Sequence, residues 1–84
     1  MTTTTDKVDK TMAMIHDEVF RAMSLWPPMA SAHEGYAVIL EELEELWEHV
    51  KTNQKRRNLA AMRTEAIQVA AMAVRFVADL TLEE

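Results

Sequence analysis

The run Glu41-Glu42-Leu43-Glu44-Glu45, with Glu48 one turn later, is the densest chemistry in this chain. Residues three or four apart share one face of a helix. Glu42 and Glu45 therefore pair, and His49 follows on the same side, while Glu41, Glu44 and Glu48 turn toward the other flank. Like charges at that spacing cost helix stability. One reading is a solvated acidic face. The other is a hard-cation site, because Mg²⁺ takes carboxylate oxygens and removes the repulsion. Glu65 is a third candidate ligand. It lies at the edge of a later apolar stripe, beside Met62, Ala66 and Val69, and no cation stands at the helical spacings that would pair it. A salt bridge to another helix is the alternative.

A basic group sits near these acids in sequence: Lys51, Lys55, Arg56, Arg57 and Arg63. It is either a solvated loop balancing an acidic chain or a clamp for phosphate, since guanidinium forks match phosphate oxygens. His49 could contact a phosphate or a metal. His16 and His33 have no spaced partner. Trp26 and Trp47 are expected in the core, and the methionines fill core or interface.

Three helices must position these groups. Met1 to Thr5 is a polar tail expected to fray, with Asp6 as the first N-cap. Val8, Met12, Ile15, Val19, Ala22 and Trp26 then recur at spacings of four and three, one helical stripe ended by Pro27-Pro28. Ser31 and Glu34 form a capping-box pattern that opens a second helix. Its stripe is Tyr36, Leu40, Leu43, Trp47 and Val50, reinforced by Ile39 and Leu46, and it ends near Thr52. Residues 53–57 make a polar, basic link. Asn58 caps a third helix with the stripe Leu59, Met62, Ala66, Val69, Ala73, Phe76 and Leu80; Leu82 to Glu84 are expected to fray. Alanines 66, 70, 71 and 73 permit close helix approach.

Composition bounds the rest. A chain of 84 residues is one domain. It buries only about 60% of its unfolded surface, so its core is marginal without support. With no cysteine, that support is either oligomerisation or a carboxylate metal site. One glycine, two prolines and no alternating apolar run leave little for strands. The fold class is therefore all-α: a three-helix chain forming a helical bundle, completed by oligomerisation as a homodimer or homotetramer. A net charge of −5 argues against a nucleic-acid binder that tracks phosphates. No apolar run approaches the roughly 20 residues of a membrane span. The start of the chain has no signal-peptide core, so a cytoplasmic location is expected.

The stretch His33-Glu34-Gly35-Tyr36-Ala37-Val38-Ile39-Leu40-Glu41-Glu42-Leu43-Glu44-Glu45-Leu46-Trp47, followed by Glu65 to Ala73, resembles the small MazG-like proteins of phages and bacteria. Glu41, Glu42 and Glu45 match that family's EExxE motif, and Glu65 matches the first position of its ExxD motif. The resemblance covers residues 31–80. It implies an oligomeric helical bundle that binds Mg²⁺, or Mn²⁺, through Glu42, Glu45 and Glu65. It also implies cleavage of a nucleoside triphosphate between the α- and β-phosphates, with Glu42 and Glu45 as catalytic carboxylates. Lys55, Arg56, Arg57, Arg63 and His49 are then the expected phosphate contacts. The chain departs from the pattern at one point: Gln68 stands where ExxD has its aspartate. Gln68 offers a metal only a neutral carbonyl and cannot act as a base. A nucleotide-binding protein without turnover is therefore the alternative, and a helical interaction protein is a third reading.

Overall fold

The structure is a computed structural model, and it describes residues 1–83. Three α-helices and one short 3₁₀ turn make up the chain, and no strand occurs among the described residues. Helix α1 spans Thr4–Leu25, α2 spans Ala32–Val50 and α3 spans Leu59–Leu80; the 3₁₀ turn is Gln54–Arg56. Helix α3 is the hub: it packs against both α2 and α1.

The helix ends follow from local side chains. Thr3, not Asp6, caps α1. The Thr3 hydroxyl accepts the Asp6 N–H at 3.0 Å, and the Asp6 carboxylate accepts the Thr3 N–H at 3.0 Å. This reciprocal box draws Thr4 and Thr5 into the helix that the sequence reading leaves as tail. That pairing also holds the Asp6 carboxyl below its usual range, through its hydrogen bonds to Thr3. Ser31 caps α2 as expected, accepting from Glu34 N–H at 3.1 Å. The Glu34 carboxylate accepts from Ala30 N–H at 3.3 Å rather than completing the box at Ser31. Asn58 caps α3, accepting from Ala61 N–H at 3.0 Å. Helix α3 ends at Leu80. Of the expected frayed end, Leu82 and Glu83 follow the helix without regular structure, and Glu84 lies outside the described residues.

The core is thin. Among the described residues only Ala22, Met29, Ala71 and Met72 are buried hydrophobics, with Val19, Val38, Ile39, Phe76 and Leu80 packed around them. No large side chain among the described residues is fully buried. Residues 1–13 are all exposed, so the first turns of α1 contribute nothing to the core.

The largest departure from the sequence reading is the rotation of α2. The expected core stripe of Tyr36, Leu40, Leu43 and Trp47 is 64%, 37%, 48% and 57% exposed. The covered face carries the positions one residue earlier: Gly35, Ile39, Glu42, Leu46 and His49, all buried or half-buried. Gly35 explains why. A Cβ on Gly35 would stand 2.6 Å from Phe76 Cδ2 and 3.0 Å from Leu80 Cδ1. Helices α2 and α3 therefore meet more closely here than a side chain would allow. Trp26 and Trp47, expected in the core, are both exposed.

A buried cation locks the α1–α2 link. Arg75 is 5% exposed. Its Nη2 donates to Pro27 O at 2.6 Å and to Trp26 O at 3.3 Å. Asp79, one turn on, accepts from Met29 N–H at 3.0 Å and lies 3.7 Å from Arg75 Nη2. Hydrogen bonds from a charged donor contribute about 1.5–3 kcal/mol each. Arg75→Met should therefore lower unfolding stability by about 2 kcal/mol or more. Gly35→Val should lower it by about 1–3 kcal/mol through overpacking against Phe76. Urea unfolding followed by circular dichroism checks both values.

Candidate functional site

The rotation of α2 carries its acids against α3. Glu42 and Glu45 sit one turn apart on α2, and Glu65 faces them from the first half of α3. One carboxylate oxygen from each lies within 4.8 Å of the others. Glu42 and Glu65 are half-buried and Glu45 is exposed. The pairing expected from i,i+3 spacing is thus realised, with the third carboxylate brought in by the tertiary fold.

Gln68 joins the same cluster. Its hydrogen-bonding surroundings orient the amide so that the NH₂ group donates to Glu65 Oε2 and to Glu42 Oε2, each at 3.0 Å. The sequence reading offers the Gln68 carbonyl as a ligand. The amide end of Gln68 reaches Glu42 and Glu65 in the structure, and its nitrogen is assigned toward them from the hydrogen-bond partners. No salt bridge to Glu42, Glu45 or Glu65 occurs among the described residues.

The electrostatics follow. Burial raises the Glu42 carboxyl most, followed by the charge and hydrogen bond of Glu45 and then by the charges of Glu65 and Glu41; together they push it to about 7. Glu65 is also raised, by burial and then by Glu45, and the nearby charge of His49 draws it back down. These carboxylates repel one another in a partly dry setting. Oxygen ligands of Mg²⁺ lie 2.0–2.1 Å from the ion, so two of them stand at most about 4.2 Å apart. Neighbouring ligands of an octahedral ion stand only about 3 Å apart, so the three glutamates, whose oxygens lie within 4.8 Å of one another, would draw closer to share one such ion. The donor set, carboxylate oxygen only, also suits a hard divalent cation.

A cleft of about 490 Å³ opens beside this cluster. Glu41, Glu42 and Gln68 line it at the acidic end, and Ala22, Trp26, Val38, Met72 and Arg75 line the rest. Glu41 therefore shares this side with Glu42, although helical spacing alone turns it toward the other flank. Glu18 and Arg21 enter the cleft from α1. Arg21 Nη2 pairs with Glu18 Oε2 at 2.7 Å, and the same guanidinium feels the charge of Glu42. A second, shallower cleft of about 320 Å³ is lined by Met14, Asp17, Glu18, Arg21, Arg63, Thr64 and Ile67.

The basic residues of the sequence reading divide. Arg63 reaches the second cleft beside Arg21. Arg57 is engaged in the fold: its Nη2 and Nε donate to Val50 O at 2.7 and 3.1 Å, and Nε also donates to Thr52 O at 3.2 Å, closing the end of α2. Lys55 and Arg56 are exposed on the 3₁₀ turn and line neither cleft. Lys51 pairs with Glu48 at 3.0 Å. His49 is half-buried on the covered face of α2. The cations that the structure does bring to the main cleft, Arg21 and Arg75, are absent from the sequence reading. Their signals were present as the i,i+3 pair Glu18/Arg21 and the i,i+4 pair Arg75/Asp79.

Compared with protein families, with characterised proteins and with solved structures, the chain matches none of them. No helix among the described residues is long and apolar enough to cross a membrane.

A raised carboxyl pKa sets the direction of pH dependence. Native Glu42 holds its proton to about pH 7, whereas the unfolded chain releases it near 4.5. Between those values the native state binds more protons, so stability falls as pH rises. Glu65 acts in the same direction. In chelator-treated protein, the melting temperature should fall from pH 4.5 to 7 relative to Glu42→Gln, with the difference levelling off above that window. A difference that does not change with pH would contradict this assignment.

Proposed function

We propose that this chain is a Mg²⁺-dependent nucleoside triphosphate pyrophosphohydrolase of MazG-like type. The observation that carries the reading is the convergence of Glu42, Glu45 and Glu65 from two helices, with oxygens within 4.8 Å, where Glu42 also lines a cleft of about 490 Å³. The sequence resemblance of residues 33–47 and 65–73 points the same way. Glu42, Glu45 and Glu65 would hold the ion. Bound there, it supplies charge neutralisation at phosphate oxygens and a more acidic water.

The chain's own residues then have distinct tasks. Glu42 and Glu45 orient the attacking water and accept its proton. Arg21, on α1, stands across the cleft with a planar fork suited to phosphate oxygens. Its present partner is Glu18, so phosphate must compete with a bidentate carboxylate contact. Arg63, one cleft away, is the second cation in reach of that region. The apolar walls of Ala22, Trp26, Val38 and Met72 fit the uncharged part of a nucleotide. This arrangement moves the phosphate-binding role from Lys55, Arg56 and Arg57 to Arg21 and Arg63.

A second reading, nucleotide binding without turnover, is favoured by Gln68. Its NH₂ group bridges Glu42 and Glu65 by hydrogen bonds, doing without charge part of what a cation would do. A site held together in this way has less need of metal.

Pyrophosphate release from a panel of ribo- and deoxyribonucleoside triphosphates, with Mg²⁺ or Mn²⁺, separates the two. The enzyme reading expects metal-dependent release, with Glu45→Ala reducing it about 100-fold or more. Gln68→Asp, which adds a fourth carboxylate, should raise metal affinity and turnover together. Nucleotide binding by calorimetry with no release from any triphosphate would sink the enzyme reading in favour of the binding one.

A further inference from the structure

Among the described residues Arg75 is the one buried charge, 5% exposed, and it also lines the main cleft. Its donors are only partly used. Nη2 takes Pro27 O and Trp26 O, whereas Nε is buried and donates to nothing, and Nη1 has no acceptor among the described residues. Nor is its charge closely met. The Asp79 Oδ2 stands 3.7 Å from Nη2 and accepts the Met29 N–H. A buried donor without a partner costs the desolvation of that group. Native structures keep such a group where a ligand or water completes it.

The cleft has a direction. Helices α2 and α3 line it in opposite senses: Glu42 meets Gln68 at one end, and the start of α2 meets the end of α3 at the other, where Gly35 touches Phe76 and Leu80. Arg75 stands seven residues beyond Gln68 on the same face of α3, with Met72 between them. That is about 10.5 Å along the helix axis. A triphosphate held at the acidic end therefore extends its base toward Arg75. Trp26, exposed on the same cleft, offers a ring on which any base stacks, so stacking does not choose among bases.

Arg75 does choose, because a guanidinium only donates. Guanine presents two adjacent acceptors, O6 and N7, on one edge, whereas adenine places an amino donor beside N7. Facing Arg75, that amino group would set donor against donor. We infer that Arg75 sets the base specificity of the cleft, so that it takes a 6-oxopurine nucleotide, with guanine or hypoxanthine as base, in preference to an adenine nucleotide. This inference rests on the nucleotide reading of the cleft. Glu34 is the acceptor at the same end, but it is exposed and already takes the Ala30 N–H at 3.3 Å. An amino group therefore gains less from Glu34 than a carbonyl gains from the buried cation.

Inosine and adenosine triphosphates make the matched pair, because they differ only by a carbonyl and its ring N–H in place of an amino group. Dissociation constants are measured on the full chain with Mg²⁺, using the α,β-methylene analogues, which resist cleavage at that bond. The inosine analogue should bind about 10-fold more tightly than the adenosine analogue. In Arg75→Met the two affinities should become equal within about twofold. Loss of the α1–α2 tether alone weakens both analogues together and leaves their ratio unchanged, so the ratio separates base reading from a structural role. The wild-type ratio stands by itself where the variant does not fold. Equal wild-type affinities, a preference for adenosine, or a preference that survives in Arg75→Met would overturn the inference and leave the nucleotide reading intact. Binding of neither analogue, nor of any other triphosphate, would overturn both.

Discussion

The close approach of Gly35 to Phe76 and Leu80 governs this molecule. At this point α2 and α3 leave no room for a side chain on the α2 side. Once that contact is made, the rotation of α2 about its axis is decided. Gly35, Ile39, Glu42, Leu46 and His49 turn toward the rest of the chain, and Tyr36, Leu40, Leu43 and Trp47 turn away. Both principal features of the surface follow from that rotation: the acidic cluster on one side of α2 and the bare apolar stripe on the other.

The acidic cluster carries an energetic cost. Three carboxylates converge with no paired cation among the described residues, and burial raises two of them. Structures retain such arrangements where a proton, a cation or a hydrogen-bond donor offsets the repulsion. Gln68 supplies the donor from within the chain. The same site is thus compatible with a metal, yet partly relieved without one. That tension separates turnover from binding as readings of the cleft.

Farther along the same cleft, Arg75 and Asp79 tie the α1–α2 link to α3 through main-chain partners on Trp26, Pro27 and Met29. This keeps the end of α1 against the cleft and brings Glu18 and Arg21 opposite the acids. The fold therefore places its acidic and basic groups through two separate tethers. One is a steric approach at Gly35, and the other is a charged hydrogen-bond network at Arg75. The N-terminal half of α1 uses neither and rests on its own capping box.

Local features were legible in the sequence because they depend on neighbours a few residues away. The three helices, the proline stop, the Ser31 and Asn58 caps and the pairing of Glu42 with Glu45 all follow from periodicity and capping chemistry. Thr3 was missed as a cap because Asp6 is itself a favoured N-cap residue, although only Thr3 of the four threonines stands three before it, the spacing of the box. Tertiary structure alone decided which stripe of α2 is covered. The apolar count favours Tyr36, Leu40, Leu43 and Trp47, but the contact at Gly35 selects the adjacent stripe, because close helix approach outweighs the size of the apolar residues left outside. It also decided which cations meet the acids. Arg21 and Arg75 lie 21 and 33 positions from Glu42 in the chain. Only the packing of α1 and α2 on α3 brings them to one cleft, whereas Arg57, much nearer in sequence, closes the end of α2 instead.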